Sequence, residues 1–405
     1  MIRTFKFQPY VDRHQHDLLK EILLHYKDIY NSALEERQSK WRKKRKSTTY
    51  FDQCYELAEL RKDKDYTLIP LRIQRGAILQ LDANFKAFFT NIKKGNKNAR
   101  PPRYKSVGRT KSFSFAEFNG IAINGNRIRF KYKKKYISLK IPNRIELPES
   151  KPKSCQYKLK DGVWWIYLQY DIPKIILEKN ENAVGIDVGL TTLCTLSDGS
   201  IYRITQFTKD NARELRIKQR KLARCKNGSN NRKKVKLQVT KIHSYIANSR
   251  DRYLNYVAKD IVRSNQYICL EKLDIQNMIS QNKYNKSIAN ASWNKLQTKI
   301  VNKAEESGRT VIFVNAKNTS QLCSGCEKFV KKDLYVRQHD CPHCGLSICR
   351  DLNASINILK RGNIEVMRMT SDGCSNSSLA ISLESNGNDE SHAINKDQID
   401  FKELV

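Results

Sequence analysis

A multidomain chain combining an α/β layer, a small β-barrel or sandwich and a helical module is predicted by three observations. The 405 residues leave room for two to four domains. The texture changes from helix-periodic runs to short alternating runs at about residue 103, and changes back after about residue 178. Farther on, two apolar strand-like runs each end on a carboxylate, at Asp187 and at Glu271, with helical sequence between them. That is the arrangement of strands in an α/β sheet.

The elements follow in order. Residues 1–10, "MIRTFKFQPY", alternate as a short strand with Arg3 and Lys6 on one side. Residues 14–46 carry Leu18, Leu19, Ile22, Leu23, Tyr26, Ile29, Tyr30 and Leu34 at helical spacing, and the helix ends in the cationic run "KWRKKRK". Residues 70–94 form another helix, which stops at "KGNKNARPPRYK", a loop with Gly, Asn and two prolines. From 103 to 178 the alternating runs are joined by "NG", "NGN" and "KDG", where Gly and Asn accept the positive φ of hairpin turns. Their outward face, with Arg127, Arg129, Lys131, Lys133, Lys134 and Lys135, reads either as a solvated sheet or as a surface for an oligonucleotide. Residues 209–263 are two helices broken at "CKNGSNN"; Lys209 to Arg252 hold fifteen Lys/Arg against three acids, so all but one packing edge is positive. The tail, 371–405, has seven acidic and two basic residues and no periodic apolar pattern, which predicts disorder.

Charge narrows the partners. Lys and Arg number 76 and Asp and Glu 41, a net charge of +35. Self-repulsion of that size disfavours a compact state unless a polyanion relieves it, which points to nucleic acid. There is no apolar run of about 18 residues and no signal peptide, so no membrane is expected. Of the eleven cysteines, four lie in CxxC pairs and seven are scattered; this usage predicts reduced thiols in a cytoplasmic protein.

Three stretches carry chemistry. In "NAVGIDVGLTTLCTLSDGSIYRI", residues 182–204, a strand delivers Asp187, "GLTT" turns and a hairpin returns. Ribonuclease H-like folds begin this way, and so do ATPase domains of the actin and sugar-kinase kind; an acid that simply ends a strand fits as well. In "SNQYICLEKLDI", residues 264–275, a strand ends at Glu271, which alone reads as a surface acid. Placed on a parallel neighbour of the first strand, it would share the sheet edge where α/β folds hold their sites. Third, "CSGC" and "CPHC" form two pairs, Cys323 with Cys326 and Cys341 with Cys344, with fourteen residues between them, within the range of a zinc ribbon. Four thiolates close a tetrahedral Zn²⁺ site and leave no open position, so this metal is structural; His339, His343 and Cys349 stand as bystanders. Immediately after comes "RDLNASINILK", a helix with Leu352, Ile356 and Leu359 on one face and Asp351 at its start. Asp351 fits either a first-turn acid or a third metal ligand.

Three carboxylates suit phosphodiester hydrolysis. The reaction needs an activated water, a stabilised pentavalent phosphorus and a stabilised leaving oxygen, and two divalent cations about 4 Å apart supply all three. Oxygen ligands select Mg²⁺ or Mn²⁺.

The order "GIDVGLTT", basic helices, "CLEKLD", "TSQLCSGC…CPHCG", "RDLNASINIL" resembles the TnpB family, also called OrfB: transposon-encoded RNA-guided nucleases related to type V CRISPR effectors. The resemblance runs to about residue 370 and is most specific over 183–358. It implies a RuvC-type ribonuclease H-like nuclease domain (181–317 and 349–370) with an inserted zinc ribbon (318–348). It also implies a wedge-like β-barrel (1–10 and 96–180), a helical recognition module (11–95) and the acidic tail (371–405). Asp187, Glu271 and Asp351 match the family's three acidic positions, and the four ribbon cysteines match too. One departure is Cys349, where the family often has an acid. The implied activity is metal-dependent cleavage of double-stranded DNA beside a short flanking motif. The guide RNA would come from the transposon end, a separate transposase would be encoded nearby, and the protein would associate with the nucleoid when on DNA. The rival readings are a strand-transfer transposase using the same carboxylates and a non-catalytic nucleic-acid-binding regulator.

Overall fold

The computed structural model describes residues 1–63, 65–118, 120–133, 135–204, 207–273, 292–333 and 335–371. Lys134 of the basic run and the expected acidic tail from 372 onward lie outside the described residues. The chain divides into two compact units, Met1–Ile175 with Gln206–Arg250, and Ile176–Thr205 with Asp251–Val405.

In the first unit, β1 (Ile2–Phe7) leads into α1 (Arg13–Lys44), α2 (Tyr50–Leu60) and α3 (Leu71–Lys93). The strands β2 (Ser112–Phe115), β3 (Ile121–Asn124), β4 (Arg127–Tyr132), β5 (Lys135–Lys140), β6 (Ser154–Lys160) and β7 (Val163–Asp171) follow. Asp12 and Gln15 form a reciprocal capping box that starts α1. The short α2 begins on a second box, Thr49 with Asp52, in a stretch for which the sequence reading names no element. The alternating segment forms two antiparallel sheets, ordered β1-β7-β6-β2 and β3-β4-β5. Their inward residues share one core with α1 and α3. Phe113 stacks on Tyr157 with ring centroids 4.9 Å apart, and Trp164, Ile166 and Leu168 are fully buried beside them. In β4 the alternation is strict: Ile128, Phe130 and Tyr132 point in, and Arg127, Arg129 and Lys131 point out. The helices α4 (Phe207–Asp210), α5 (Ala212–Arg224) and α6 (Asn230–Ser264) come next. α5 buries no residue, so its arginines and lysines face solvent. α6 contributes its residues up to Arg250 to this unit and those from Asp251 to the second.

The second unit is built on a five-stranded sheet, ordered β10-β9-β8-β11-β12. Its strands are β8 (Ala183–Val188), β9 (Thr192–Leu196), β10 (Ile201–Arg203), β11 (Tyr267–Lys272) and β12 (Thr310–Asn315). β9 runs antiparallel to both its neighbours, β8 and β10, while β8, β11 and β12 are parallel. One face, with Val184, Ile186, Ile268 and Leu270, packs on Leu254, Val257 and Ile261 of α6 and on Leu296 and Ile300 of α7 (Trp293–Ser307). The small strands β13 (Gln338–Asp340) and β14 (Ser347–Cys349) lead into α8 (Arg350–Ser371).

α8 lies on the other face, and two glycines explain how closely. A Cβ on Gly185 of β8 would stand 2.1 Å from the Ser355 carbonyl oxygen, and one on Gly362 would stand 2.0 Å from Cys269 Sγ. The helix therefore rests on strand backbone. The expected apolar face of Leu352, Ile356 and Leu359 is only half-buried; the buried residues are Asp351, Asn353, Ala354, Ser355, Asn357, Ile358 and Gly362. Close approach to a glycine selects small residues at the contact, so the apolar spacing picks out the wrong stripe.

Candidate metal centres at the end of the sheet

Asp187 and Glu271 come together through register. Ile186 of β8 pairs with Leu270 of β11 in parallel, so the next residues, Asp187 and Glu271, lie side by side where the strands end. Each sits two residues beyond a contact with α8, Gly185 in one strand and Cys269 in the other. Side chains two apart share a face, so both carboxylates are on the α8 side. α8 starts at Arg350, which puts Asp351 in its first turn, 9% exposed.

The electrostatics record the crowding. Burial pushes the Asp187 carboxyl well above its usual range, the negative charges of Glu271 and Asp351 push it further, and Arg350 pulls it back. Burial also raises Glu271, opposed by a hydrogen bond from Thr319 and by the charge of Arg361. The charge of two neighbouring acids on a buried Asp187 is the kind of stress that a positive charge relieves. Asp351 Oδ1 meets two guanidiniums, Arg350 at 3.2 Å and Arg337 at 3.7 Å. Arg337, half-exposed, also donates to Thr191 Oγ1 at 3.2 Å, in the turn that follows Asp187.

The four cysteines are gathered more tightly. Their sulfurs all lie within 4.8 Å of one another, with Cys323–Cys344 and Cys326–Cys341 at 3.6 Å. Among the described residues this is the only set of three or more His, Cys, Asp or Glu donors so closely gathered; the carboxylates act on one another at longer range. The two knuckles repeat one geometry. The amide of Glu327 donates to Cys323 O at 2.9 Å, and that of Gly345 to Cys341 O at 3.0 Å. Both residues take positive φ, 61° and 73°; glycine does so freely and glutamate under strain. Four soft donors at one point fit Zn²⁺ and leave no opening for substrate. His339, His343 and Cys349 stand outside the cluster.

Several residues of these sites escape sequence reading. Thr319 donates its hydroxyl to Glu271 Oε1. Gln297 Nε2 donates to the Glu271 carbonyl at 3.1 Å. Asn353 and Asn357 bind the backbone around the first cysteine knuckle, and Arg337 reaches back from the cysteine module to Asp351. The two asparagines had one available signal: polar residues at i and i+4 inside a helix that must be buried.

The fold has a solved counterpart among mixed α/β chains. A solved complex, described as the Cas12f1-sgRNA-target DNA complex, superposes with a TM-score of 0.57 over 86% of this chain and 83% of its own, at 18% identity. Residues 167–282 match the OrfB_IS605 family, described as "Probable transposase", and residues 293–358 match the Cas12f1-like TNB domain. A protein of Streptomyces pristinaespiralis named "Putative RNA-guided DNA endonuclease" is 29% identical over 89% of both chains. The Escherichia coli (strain K12) protein "Putative RNA-guided DNA endonuclease InsQ" is 26% identical over 71% of this chain and 73% of its own. Together these matches support a TnpB-like family. No helix among the described residues is long and apolar enough to cross a membrane.

Proposed function

We propose that this protein is an RNA-guided endonuclease that cleaves double-stranded DNA beside a short flanking motif, using divalent cations at Asp187, Glu271 and Asp351. The observation that carries the reading is the parallel register of β8 and β11, which sets two acids side by side under a helix whose first turn holds the third. The strand order, three antiparallel strands continued by two parallel ones, supports a RuvC-type ribonuclease H-like domain. The names of the relatives support guidance by RNA and action on DNA. On this reading residues 1–10 and 96–180 form the wedge-like module, 11–95 the recognition module and 318–348 the ribbon.

Bound Mg²⁺ or Mn²⁺ would supply water activation and charge neutralisation at the phosphate and leaving oxygen. The protein's own part is to hold and orient. Asp187 and Glu271 present carboxylate oxygens from rigid strand ends, and Asp351 does so from a helix start fixed by Gly185. Arg337, partly exposed, can exchange its contact with Asp351 for one with a phosphate. The ribbon, closed by Zn²⁺, holds the segment that carries Arg337. The solvent-facing cations of α5 suit the backbone of an RNA–DNA hybrid, gripped without sequence reading. The guide would be transcribed from the transposon end, with a separate transposase encoded nearby.

The test is purification followed by sequencing of bound RNA, then cleavage of duplex DNA matching that RNA in Mg²⁺. A defined RNA and guide-directed cutting are expected. A protein that carries no defined RNA, or that joins transposon ends unaided, overturns the reading in favour of a transposase.

A further inference from the structure

Glu271 does not choose its own orientation. The Thr319 hydroxyl has one proton and two acceptors in reach: Glu271 Oε1, which is the shorter contact, and the Ala316 carbonyl at 3.2 Å. Thr319 is 3% exposed and Glu271 7%, so no solvent competes for that proton. A carboxylate that receives a buried hydroxyl on one oxygen is fixed in rotation, and its other oxygen is left for a cation.

Thr319 is itself fixed from α8. Asn357 Nδ2 donates to the Thr319 carbonyl at 2.9 Å and to the Leu322 carbonyl at 2.7 Å. One turn earlier, Asn353 Nδ2 donates to the same Leu322 carbonyl at 2.7 Å, and Asn353 Oδ1 accepts from the Ser324 amide at 2.8 Å. Leu322 and Ser324 flank Cys323. Both asparagines are buried, at 0% and 5% exposure. Buried amides satisfied at this many points hold a single arrangement, because breaking one contact strands a polar group away from water. The same helix carries Asp351 two residues before Asn353.

We propose that Thr319 is the positioning residue for Glu271, and that Asn353 and Asn357 lock its setting to the first cysteine knuckle. The cysteine module thereby sets the affinity of the carboxylate centre for divalent cations without touching a carboxylate through any cysteine. This rests on the metal reading of both centres given above. Its consequence is directional: loss of the ribbon metal releases Leu322 and Ser324, then Thr319, and only then Glu271.

The experiment uses the full chain without nucleic acid. Mn²⁺ binding is read from the electron paramagnetic resonance of the free ion, and zinc content from elemental analysis, alongside the Mg²⁺ dependence of cleavage. Thr319→Val keeps the side-chain shape and removes the donor. It is expected to weaken Mn²⁺ binding about 10-fold or more, the usual cost of losing an outer-sphere partner, with zinc content unchanged. Thr319→Ser is expected to restore binding, and Asn357→Ala to weaken Mn²⁺ binding while zinc is retained. Wild-type affinity in Thr319→Val overturns the proposal. So does joint loss of zinc and Mn²⁺ that Thr319→Ser fails to repair, which would make Thr319 a packing residue. Mn²⁺ binding that is absent in the wild type, or that survives Asp187→Ala, sinks the metal reading itself; Asp187-dependent binding untouched by Thr319→Val sinks only this inference.

Discussion

The thiolate cluster and the carboxylate cluster solve opposite problems. The four sulfurs come from two short knuckles close in sequence and lie within 4.8 Å of one another. The three acids come from segments far apart in sequence, repel one another, and are set by strand register and helix packing. A closed set of soft donors can only hold; an open set of hard donors under like-charge stress can hold and also react. The acids are thus the centre that should be sensitive to chemistry, and the sulfurs the centre that should be sensitive to structure.

The sharpest way to break that contrast is Asp187→Ala. A metal-held phosphate gains several kcal/mol of charge stabilisation, so cleavage should fall on the order of 10³-fold, with zinc content and fold unchanged. Cutting at the wild-type rate would remove the carboxylates from the chemistry. Cys326→Ser tests the other side. It should lower zinc content and loosen the start of α8, because on the zinc reading the metal's binding energy is also folding energy, and lower cleavage while leaving every carboxylate in place. Full zinc occupancy in that variant would contradict a four-thiolate site.

Gly185→Ala probes what joins the two. The added methyl meets the Ser355 carbonyl at 2.1 Å, so α8 must move or the strand must bend. Overpacking of this kind costs about 1–3 kcal/mol. Reduced thermal stability and a weakened carboxylate centre are expected together. A variant with an unchanged melting temperature would mean that α8 does not rest on the β8 backbone.

The difference between the centres also governs how much the sequence reveals. Cysteine spacing is a local constraint, so Cys323, Cys326, Cys341 and Cys344 can be grouped by eye. Asp187 and Glu271 are legible as strand ends, because apolar runs stop there, yet their adjacency depends on a pairing that no local pattern encodes. Asp351 is visible as a helix start. Thr319 is not visible, and Asn353 and Asn357 leave only their i, i+4 spacing as a trace, since a polar residue in a helix or loop ordinarily signals solvent. Here they point inward because the cysteine module, not water, covers them. The two hairpin-rich sheets are readable from their Gly and Asn turns; the grouping of Gln206–Arg250 with the first unit is not, because α5 buries no residue and the buried edge of α6, with Val235, Ile242 and Ile246, does not specify its partner.

The smallest effect discriminates most finely, and it concerns pH. Asp187 is raised above its ordinary value in the folded protein by burial and by two neighbouring negative charges. Between the ordinary carboxylate range and that raised value, the folded state holds a proton that the unfolded chain has released. Stability must then fall as pH rises through that window. Asp187→Asn has no proton to lose, so its advantage in Tm over the wild type, both free of divalent cation, should grow with pH. Each kcal/mol gained corresponds to roughly 2–4 °C for a unit of this size. Adding Mg²⁺ at neutral pH should shrink the gap, because the cation replaces the proton as the relief for the wild-type acids. The thiolate side gives the control: Cys326→Ser should lower Tm without this pH signature. Parallel curves of Tm against pH for Asp187→Asn and wild type would show that the acids are not under mutual stress, and the contrast between the two centres would lose its electrostatic basis.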